Sequence, residues 1–168
     1  IEKAIKNSGA VSIKNGIMAI SSQGIFRIYH KNSLNDSERK SEIPVFINSS
    51  AMICNKNIRT ELVNMEEFLA RAKFTKNLFT ISLDYATISD GAVFRNRKAG
   101  DFIAPKGRGL TKPLRKLMSE MKIPAEKRDS AILLADENNI LWAEEIGVSE
   151  QCCVKNTTQK VLMIYIDE

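Results

Sequence analysis

The amino-acid sequence predicts an α+β fold that is mostly antiparallel sheet with one dominant basic amphipathic helix. Two apolar, β-favouring segments, 131–136 and 139–144, are separated by the polar pair Glu137-Asn138, which predicts a hairpin. The last segment, 160–167, closes the chain as a strand. Before the hairpin in the sequence, one segment has the apolar spacing of a helix, and it is rich in lysine and arginine.

The remaining elements follow from local patterns. Asn15-Gly16 and Gln23-Gly24 supply the turn residues of a small meander, and the polar stretch 31–42 reads as a solvated loop. Apolar residues at helical spacing predict a short helix over 65–74, with a loop insertion as the alternative. The segments predicted to form strands before the final hairpin are 10–30 (the meander), 43–47, 58–63, 78–84 and 92–97.

The dominant helix follows the glycine-containing loop 100–109. Its apolar stripe has the spacing i, i+3, i+4, i+7 and consists of Leu114, Leu117, Met118 and Met121. Thr111 is positioned to cap this helix, Pro113 is tolerable in its first turn, and Ile123-Pro124 ends it. We expect Trp142 to lie in the core, on the same strand face as Ile140 and against the helix stripe.

The uneven pattern before residue 75 and the tight succession of elements after it predict two packed units. Residues 1–75 would form a hairpin-rich linker end or first subdomain, and residues 76–168 a second domain, with a hinge in between. The chain begins with Ile1 and its first ten residues have no pattern of a signal peptide, so we expect a piece of a longer protein.

Composition excludes several function classes. No apolar run approaches the roughly 20 residues that span a bilayer, so no membrane role is expected. Three cysteines, two of them adjacent, favour reduced thiols and a cytoplasmic location over a disulfide framework. One histidine, His30, and no C-x-x-C argue against zinc. No phosphate-binding loop motif is present and no carboxylates converge, so we expect no catalytic residue and no cofactor in this chain.

The positive charge is concentrated in one segment. Residues 94–128 contain eleven basic and three acidic residues, a net charge of +8, whereas the whole chain carries +5. Such localised charge favours a polyanionic partner, and strand alternation would turn Arg95 and Arg97 outward together. A merely solvated charged helix remains the alternative. The predicted RNA-contacting residues are Arg95, Arg97, Lys98, Lys106, Arg108, Lys112, Arg115, Lys116, Lys122 and Arg128.

The stretch from Arg95 to Glu150 resembles the C-terminal domain of the bacterial tRNA(Ile)-lysidine synthetase family. The resemblance consists of Arg-x-Arg-x-x-Gly-Asp, a Thr-Lys that opens a basic leucine-bearing helix, an Ile-Pro stop, Arg-Asp, and a tryptophan in the next hairpin. These features are Arg95, Arg97, Gly100, Asp101, Pro105, Gly107, Thr111, Lys112, Ile123, Pro124, Arg128, Asp129 and Trp142. The sequence departs from the family pattern at Phe102 and Pro113, where cations are common, and at Glu145, where glycine is usual.

The resemblance implies a role in tRNA processing. The full-length enzymes are ligases that use ATP to adenylate the wobble cytidine of a minor isoleucine tRNA and then attach lysine. Their N-terminal catalytic domain, with the ATP and Mg²⁺ site, is absent from this sequence. We therefore expect residues 76–168 to be a tRNA-binding domain that holds the acceptor stem, with the protein's own N-terminal catalytic domain as a further partner. A protein-interaction or homodimerisation module with a basic surface and no direct RNA role is the alternative.

Overall fold

The structure, a computed structural model, describes residues 9–12, 17–22, 25–30, 42–53, 56–74 and 81–167. The chain divides into two compact units, Ile1–Lys40 and Ser41–Glu168. This division differs from the predicted boundary at residue 75. The physical reason is strand pairing: residues 57–64 pair with 160–167 at eight consecutive positions, which ties the middle of the chain to its end.

The first unit contains a three-stranded antiparallel sheet in chain order. Its strands are β1 (Gly9–Ser12), β2 (Ile17–Ser22) and β3 (Ile25–His30). The predicted meander over 10–30 is therefore confirmed. The turn residues that predicted it, and the predicted loop 31–42 except for Glu42, lie outside the described residues.

The described residues of the second unit form two sheets and three helices. Its strands are β4 (Ile43–Pro44), β5 (Ser49–Ile53), β6 (Lys56–Asn64), β7 (Ile81–Asp84), β8 (Val93–Asn96), β9 (Phe102–Ile103), β10 (Lys112–Pro113), β11 (Ile132–Asp136), β12 (Asn139–Ala143), β13 (Gly147–Val148) and β14 (Lys160–Asp167). Its helices are α1 (Met65–Phe74), α2 (Leu114–Glu120) and α3 (Ala125–Ser130), with short 3-10 turns at Tyr85–Thr87 and Glu150–Cys152. The α+β fold class is confirmed.

One sheet has the order β5-β6-β14-β7, and the other has the order β10-β9-β12-β11-β8-β4 with β13 beside β12. All pairings are antiparallel except that of β12 with β9. The continuous apolar run of β11 is explained by burial on both faces. Ile132 and Leu134 pack toward the four-stranded sheet, whereas Leu133 and Ala135 pack toward α2.

The opposite face of the four-stranded sheet is covered by α1. Val161 and Met163 of β14 contact Met65 and Phe68 of this helix, while the alternate residues of β14 enter the core between the sheets. In the second unit, α1 therefore packs against the four-stranded sheet and α2 against the seven-stranded sheet. The helix predicted over 65–74 and the strands predicted at 58–63, 131–136 and 160–167 are confirmed.

Two local predictions are wrong. The predicted strand 43–47 is reduced to Ile43–Pro44 at the sheet edge. The expected side of Trp142 is also incorrect, because the register of β11 and β12 shifts so that Leu134 pairs with Trp142 and Ala135 with Ile140. This bulge rotates Trp142 away from the face of Ile140. Trp142 is buried as predicted, but between the sheets, whereas Ile140 packs against α2.

The start of the dominant helix also differs from its prediction. Pro113, not Thr111, is the N-cap residue of α2, and it makes no side-chain capping bond. Lys112 and Pro113 instead pair with β9, so extended backbone persists to the first residue of the helix. Leu114, Leu117 and Met118 are buried as predicted, whereas Met121 is exposed. Among the described helices, none combines the length and the apolar character that crossing a membrane requires.

Candidate nucleic-acid interface

A buried ion pair organises the loop at the start of the basic segment. Arg95 in β8 and Asp101 are each about 3% exposed, and the two terminal nitrogens of the guanidinium, Nη1 and Nη2, donate to the carboxylate, at 3.0 Å and 2.7 Å. Arg95 also donates to the backbone oxygens of Asn96 and Glu137. The prediction that Arg95 faces the surface is therefore wrong, because its side chain is buried. Strand alternation correctly places Arg95 and Phe94 on opposite faces of the sheet, but the face that carries Arg95 is also covered.

Asp101 also fixes the backbone around it. Its carboxylate accepts a bond from the backbone N–H of Lys98 at 2.7 Å, and its own carbonyl accepts one from Leu114, the first residue of α2, at 2.8 Å. Gly100 allows the tight turn between them because its φ is +90°, a conformation that side chains disfavour. The loop and the beginning of α2 are thus connected through one buried residue, Asp101, whose carboxylate bonds to the loop and whose backbone carbonyl bonds to the helix.

The loop, β9 and β10 enclose a concave site of about 320 Å³, which we call the β9–β10 pocket. Its lining residues are Arg97, Lys98, Ala99, Gly100, Asp101, Phe102, Thr111, Lys112, Pro113 and Arg115. Phe102 and Pro113 are directly opposite in the antiparallel pair, so their side chains lie on the same face. Two of the three departures from the family pattern, Phe102 and Pro113, are therefore neighbours in space.

Four of the predicted contact residues line this pocket, and we call them the pocket cations: Arg97, Lys98, Lys112 and Arg115. Three of them form ion pairs at the surface. Arg97 bonds to Asp129 at 2.9 Å, Lys98 bonds to Glu42, and Lys112 bonds to Glu120 at 2.7 Å. Within the described residues, no ion pair is recorded for Arg115.

A second group of cations surrounds Glu120 at the end of α2. The hydrogen bond from Lys112 lowers the pKa of this carboxyl, and the charges of Lys112, Lys116 and Arg108 lower it further, against the opposing effect of desolvation. Lys112 therefore belongs to both groups and joins the pocket to the exposed side of α2. Arg108 reaches this group because Gly107 and Gly109, both with positive φ, turn the loop that carries it.

The remaining predicted contacts are distributed less tightly. Lys106 and Lys122 are exposed, and no ion pair is recorded for either within the described ranges. Arg128 is half-buried and donates to the backbone oxygen of Ile123 and to Ser119 Oγ at 3.0 Å. Because these bonds close the turn between α2 and α3, Arg128 has a structural role that its place in the sequence does not predict.

A larger groove of about 780 Å³ lies in the same unit. Its apolar lining includes Phe68 and Leu69 of α1 and Met121 beyond α2, with Lys106 and Arg108 beside them. No sequence pattern predicts this groove, because its walls come from elements far apart in the chain.

Comparison with known proteins places this region in a known domain family. The sequence of residues 93–165 matches the family described as "TilS substrate C-terminal domain". Residues 93–165 are a TilS substrate C-terminal domain. The family resemblance seen in the sequence is confirmed.

Known proteins extend this likeness beyond the domain. A tRNA(Ile)-lysidine synthase of Clostridium perfringens is 32% identical over 174 residues, which cover 96% of this chain and 36% of the relative. That of Clostridium tetani is 24% identical over 157 residues, covering 94% of this chain and 33% of the relative. A crystal structure of a TILS C-terminal domain matches 76% of this chain and 95% of its own with a TM-score of 0.59 at 20% identity, which shows a shared fold. The chain spans about a third of the length of these curated relatives.

The TilS C-terminal domain also contains two thiols. Cys152 and Cys153 are buried and unpaired, and desolvation raises the pKa of both. Burial and the neutral thiol form make them poor nucleophiles. In the part of the chain that the structure describes, no group of three or more histidine, cysteine or acidic side chains is arranged to hold a metal ion.

Proposed function

We propose that this chain binds tRNA through one basic surface of its TilS C-terminal domain. The basic surface consists of the pocket cations together with Arg108 and Lys116. The observation that carries the proposal is that Lys112 belongs both to the pocket cations and to the cations around Glu120. Cations from β10, α2 and two loops therefore form one surface. Arg95, which is buried, is not part of it.

The chemistry of the surface fits duplex RNA. Lysine and arginine side chains contact phosphates without reading base identity, and A-form RNA is recognised mainly by shape, phosphate and 2′-OH contacts. The curated relatives are named for lysidine synthesis on tRNA(Ile). We therefore infer that the partner is tRNA and that the basic surface holds its acceptor stem, in a cytoplasmic protein.

The chemical step belongs to another part of the longer protein. We infer that the full-length protein is a lysidine-forming ligase whose N-terminal catalytic domain binds ATP and Mg²⁺ and cooperates with this chain on the same tRNA. The buried thiols and the paired carboxylates described above provide no activated nucleophile or base. The 168-residue chain is accordingly expected to bind tRNA without making lysidine.

The test measures the salt dependence of tRNA affinity. Neutralising Arg108 and Lys116 together, as Arg108→Gln/Lys116→Gln, should weaken binding to all tRNAs. The slope of log affinity against log salt should decrease by about 0.7–0.9 for each phosphate that the variant no longer neutralises. Lys160→Gln is the matched control, because Lys160 is an exposed lysine of β14 outside the basic segment.

Two results would refute the proposal. The unmodified chain could fail to bind tRNA at moderate salt, or the double variant could retain both affinity and slope. In either case the protein-interaction or homodimerisation alternative would replace RNA binding as the role of the basic surface.

A further inference from the structure

We propose that the β9–β10 pocket holds one unpaired nucleotide of the bound RNA, with its base on the ring of Phe102 and its phosphate among the pocket cations. This inference rests on the proposed function and adds a specific ligand, a single-stranded nucleotide, to a surface that otherwise fits duplex phosphates. The pocket volume of about 320 Å³ suits one small ligand unit rather than a continuous strand.

The aromatic wall is the first observation. Phe102 is 38% exposed, although it lies within the most basic part of the chain. Pro113 lies beside it on the same face of the β9–β10 pair, so the two side chains form a small apolar surface at the pocket. Nucleic-acid bases stack on aromatic rings of this kind without regard to their identity.

The distribution of cations is the second observation. The pocket cations come from the loop after β8, from β10 and from the first turn of α2, so they flank the apolar surface from different directions. The ion pairs of Arg97, Lys98 and Lys112 involve partly exposed side chains, and such pairs contribute little stability and exchange readily for a phosphate.

Arg97 adds a third observation. Its Nε is buried, and within the described residues no atom accepts a hydrogen bond from it. A buried donor without an acceptor is uncommon in folded proteins and calls for a specific explanation, such as a ligand that binds there. Arg97 lines the pocket, and we assign this unused donor to an oxygen of the phosphate bound there.

The pocket is also fixed before any ligand arrives. The backbone N–H of Phe102 donates to the carbonyl of Asn138 at 2.9 Å, and that of Leu114 donates to Asp101 at 2.8 Å. Because both pocket walls are tied to the sheet, binding does not require the loop to become ordered, which favours affinity. A base inside a duplex already stacks on its neighbours, so the ring of Phe102 is available only to an unpaired nucleotide.

The test compares two RNAs on the 168-residue chain. One is a blunt-ended RNA hairpin, and the other is the same hairpin with a four-nucleotide single-stranded 3′ extension. The unmodified chain should bind the extended hairpin about tenfold more tightly, the size of effect expected from one stacked base. Phe102→Ala and Phe102→Leu should abolish this preference while they retain binding to the blunt hairpin, and Phe102→Trp should keep it.

Leu110→Ala is the matched control, because Leu110 is an exposed apolar residue of the same segment, 61% exposed, that does not line the pocket. Equal affinity of the unmodified chain for both hairpins would overturn the inference and leave the proposed function standing. A preference that survives Phe102→Leu in a folded protein would also overturn it. Failure to bind either hairpin would overturn the inference and the proposed function together.

Discussion

Replacing Arg95 with methionine should strongly destabilise the second unit, although the sequence pattern places this arginine on an RNA-binding surface. The variant keeps a long side chain and removes its charge. The carboxylate of Asp101 would then remain buried without its cation, and it would keep the hydrogen bond from the backbone N–H of Lys98. The carbonyls of Asn96 and Glu137 would also lose the bonds that Arg95 donates to them.

The magnitude follows from the burial of both partners. Breaking a buried ion pair by removing one partner costs about 3–5 kcal/mol, because the remaining charge is left without compensation. A surface pair is worth about 0–1 kcal/mol, so Arg97→Met, which breaks the partly exposed pair with Asp129, is the matched control. For a domain of this size, each kcal/mol lowers the melting temperature by about 2–4 °C. Arg95→Met should therefore lower it by about 6–20 °C.

Urea unfolding followed by far-ultraviolet circular dichroism measures both variants. The midpoint for Arg95→Met should move to much lower urea concentration with little change in slope, while that for Arg97→Met should stay close to the unmodified chain. A destabilisation of less than about 1 kcal/mol for Arg95→Met would refute the assignment of Arg95 to the buried pair. Such a result would instead support the surface position that the sequence predicts for Arg95.

Two further predictions concern the core and the pH dependence of stability. Trp142→Ala should cost about 3–5 kcal/mol in unfolding free energy, because Trp142 is buried between the two sheets; an unchanged melting temperature with abolished RNA binding would instead make it a contact residue. Glu61 receives two hydrogen bonds from Arg71, at 2.9 Å and 2.7 Å, and this bonding lowers the pKa of its carboxyl. A lowered folded-state pKa means that the carboxylate stabilises the fold above the ordinary carboxyl range and that this contribution disappears as the pH falls through the folded-state pKa. The stability advantage of the unmodified chain over Glu61→Gln should therefore shrink on titration from about pH 7 to about pH 3, and an advantage that stays constant would contradict the role of this pair.

The elements that the sequence predicts correctly are those whose burial follows a local pattern. Alternate residues of β14 enter two different cores, and its continuous apolar run is the pattern expected of a strand buried on both faces. The helical spacing of Leu114, Leu117 and Met118 identifies the buried face of α2 for the same reason. α1 is predicted from its own apolar spacing, even though the sheet that it covers is assembled from distant segments.

Other features depend on pairings that local patterns do not encode. The bulge in β12 changes the face of Trp142, and nothing between Asn139 and Ala143 indicates an extra residue. The pairing of β10 with β9 extends the backbone to Pro113 and thereby removes Thr111 from the capping position. The division of the chain at residue 40 follows from the pairing of β6 with β14, which are about a hundred residues apart in sequence.

At the candidate site, strand alternation predicts only part of the geometry. Alternation states that Arg95 and Phe94 face opposite sides, but it does not state which sides are covered. Here both are covered, and Arg95 consequently neutralises Asp101 in the wall of the β9–β10 pocket. Without this neutralisation, a carboxylate would oppose any phosphate in the pocket. Arg95 thus favours anion binding indirectly, because it neutralises Asp101 and fixes the loop that carries it. The pocket cations then supply the direct contacts to the ligand.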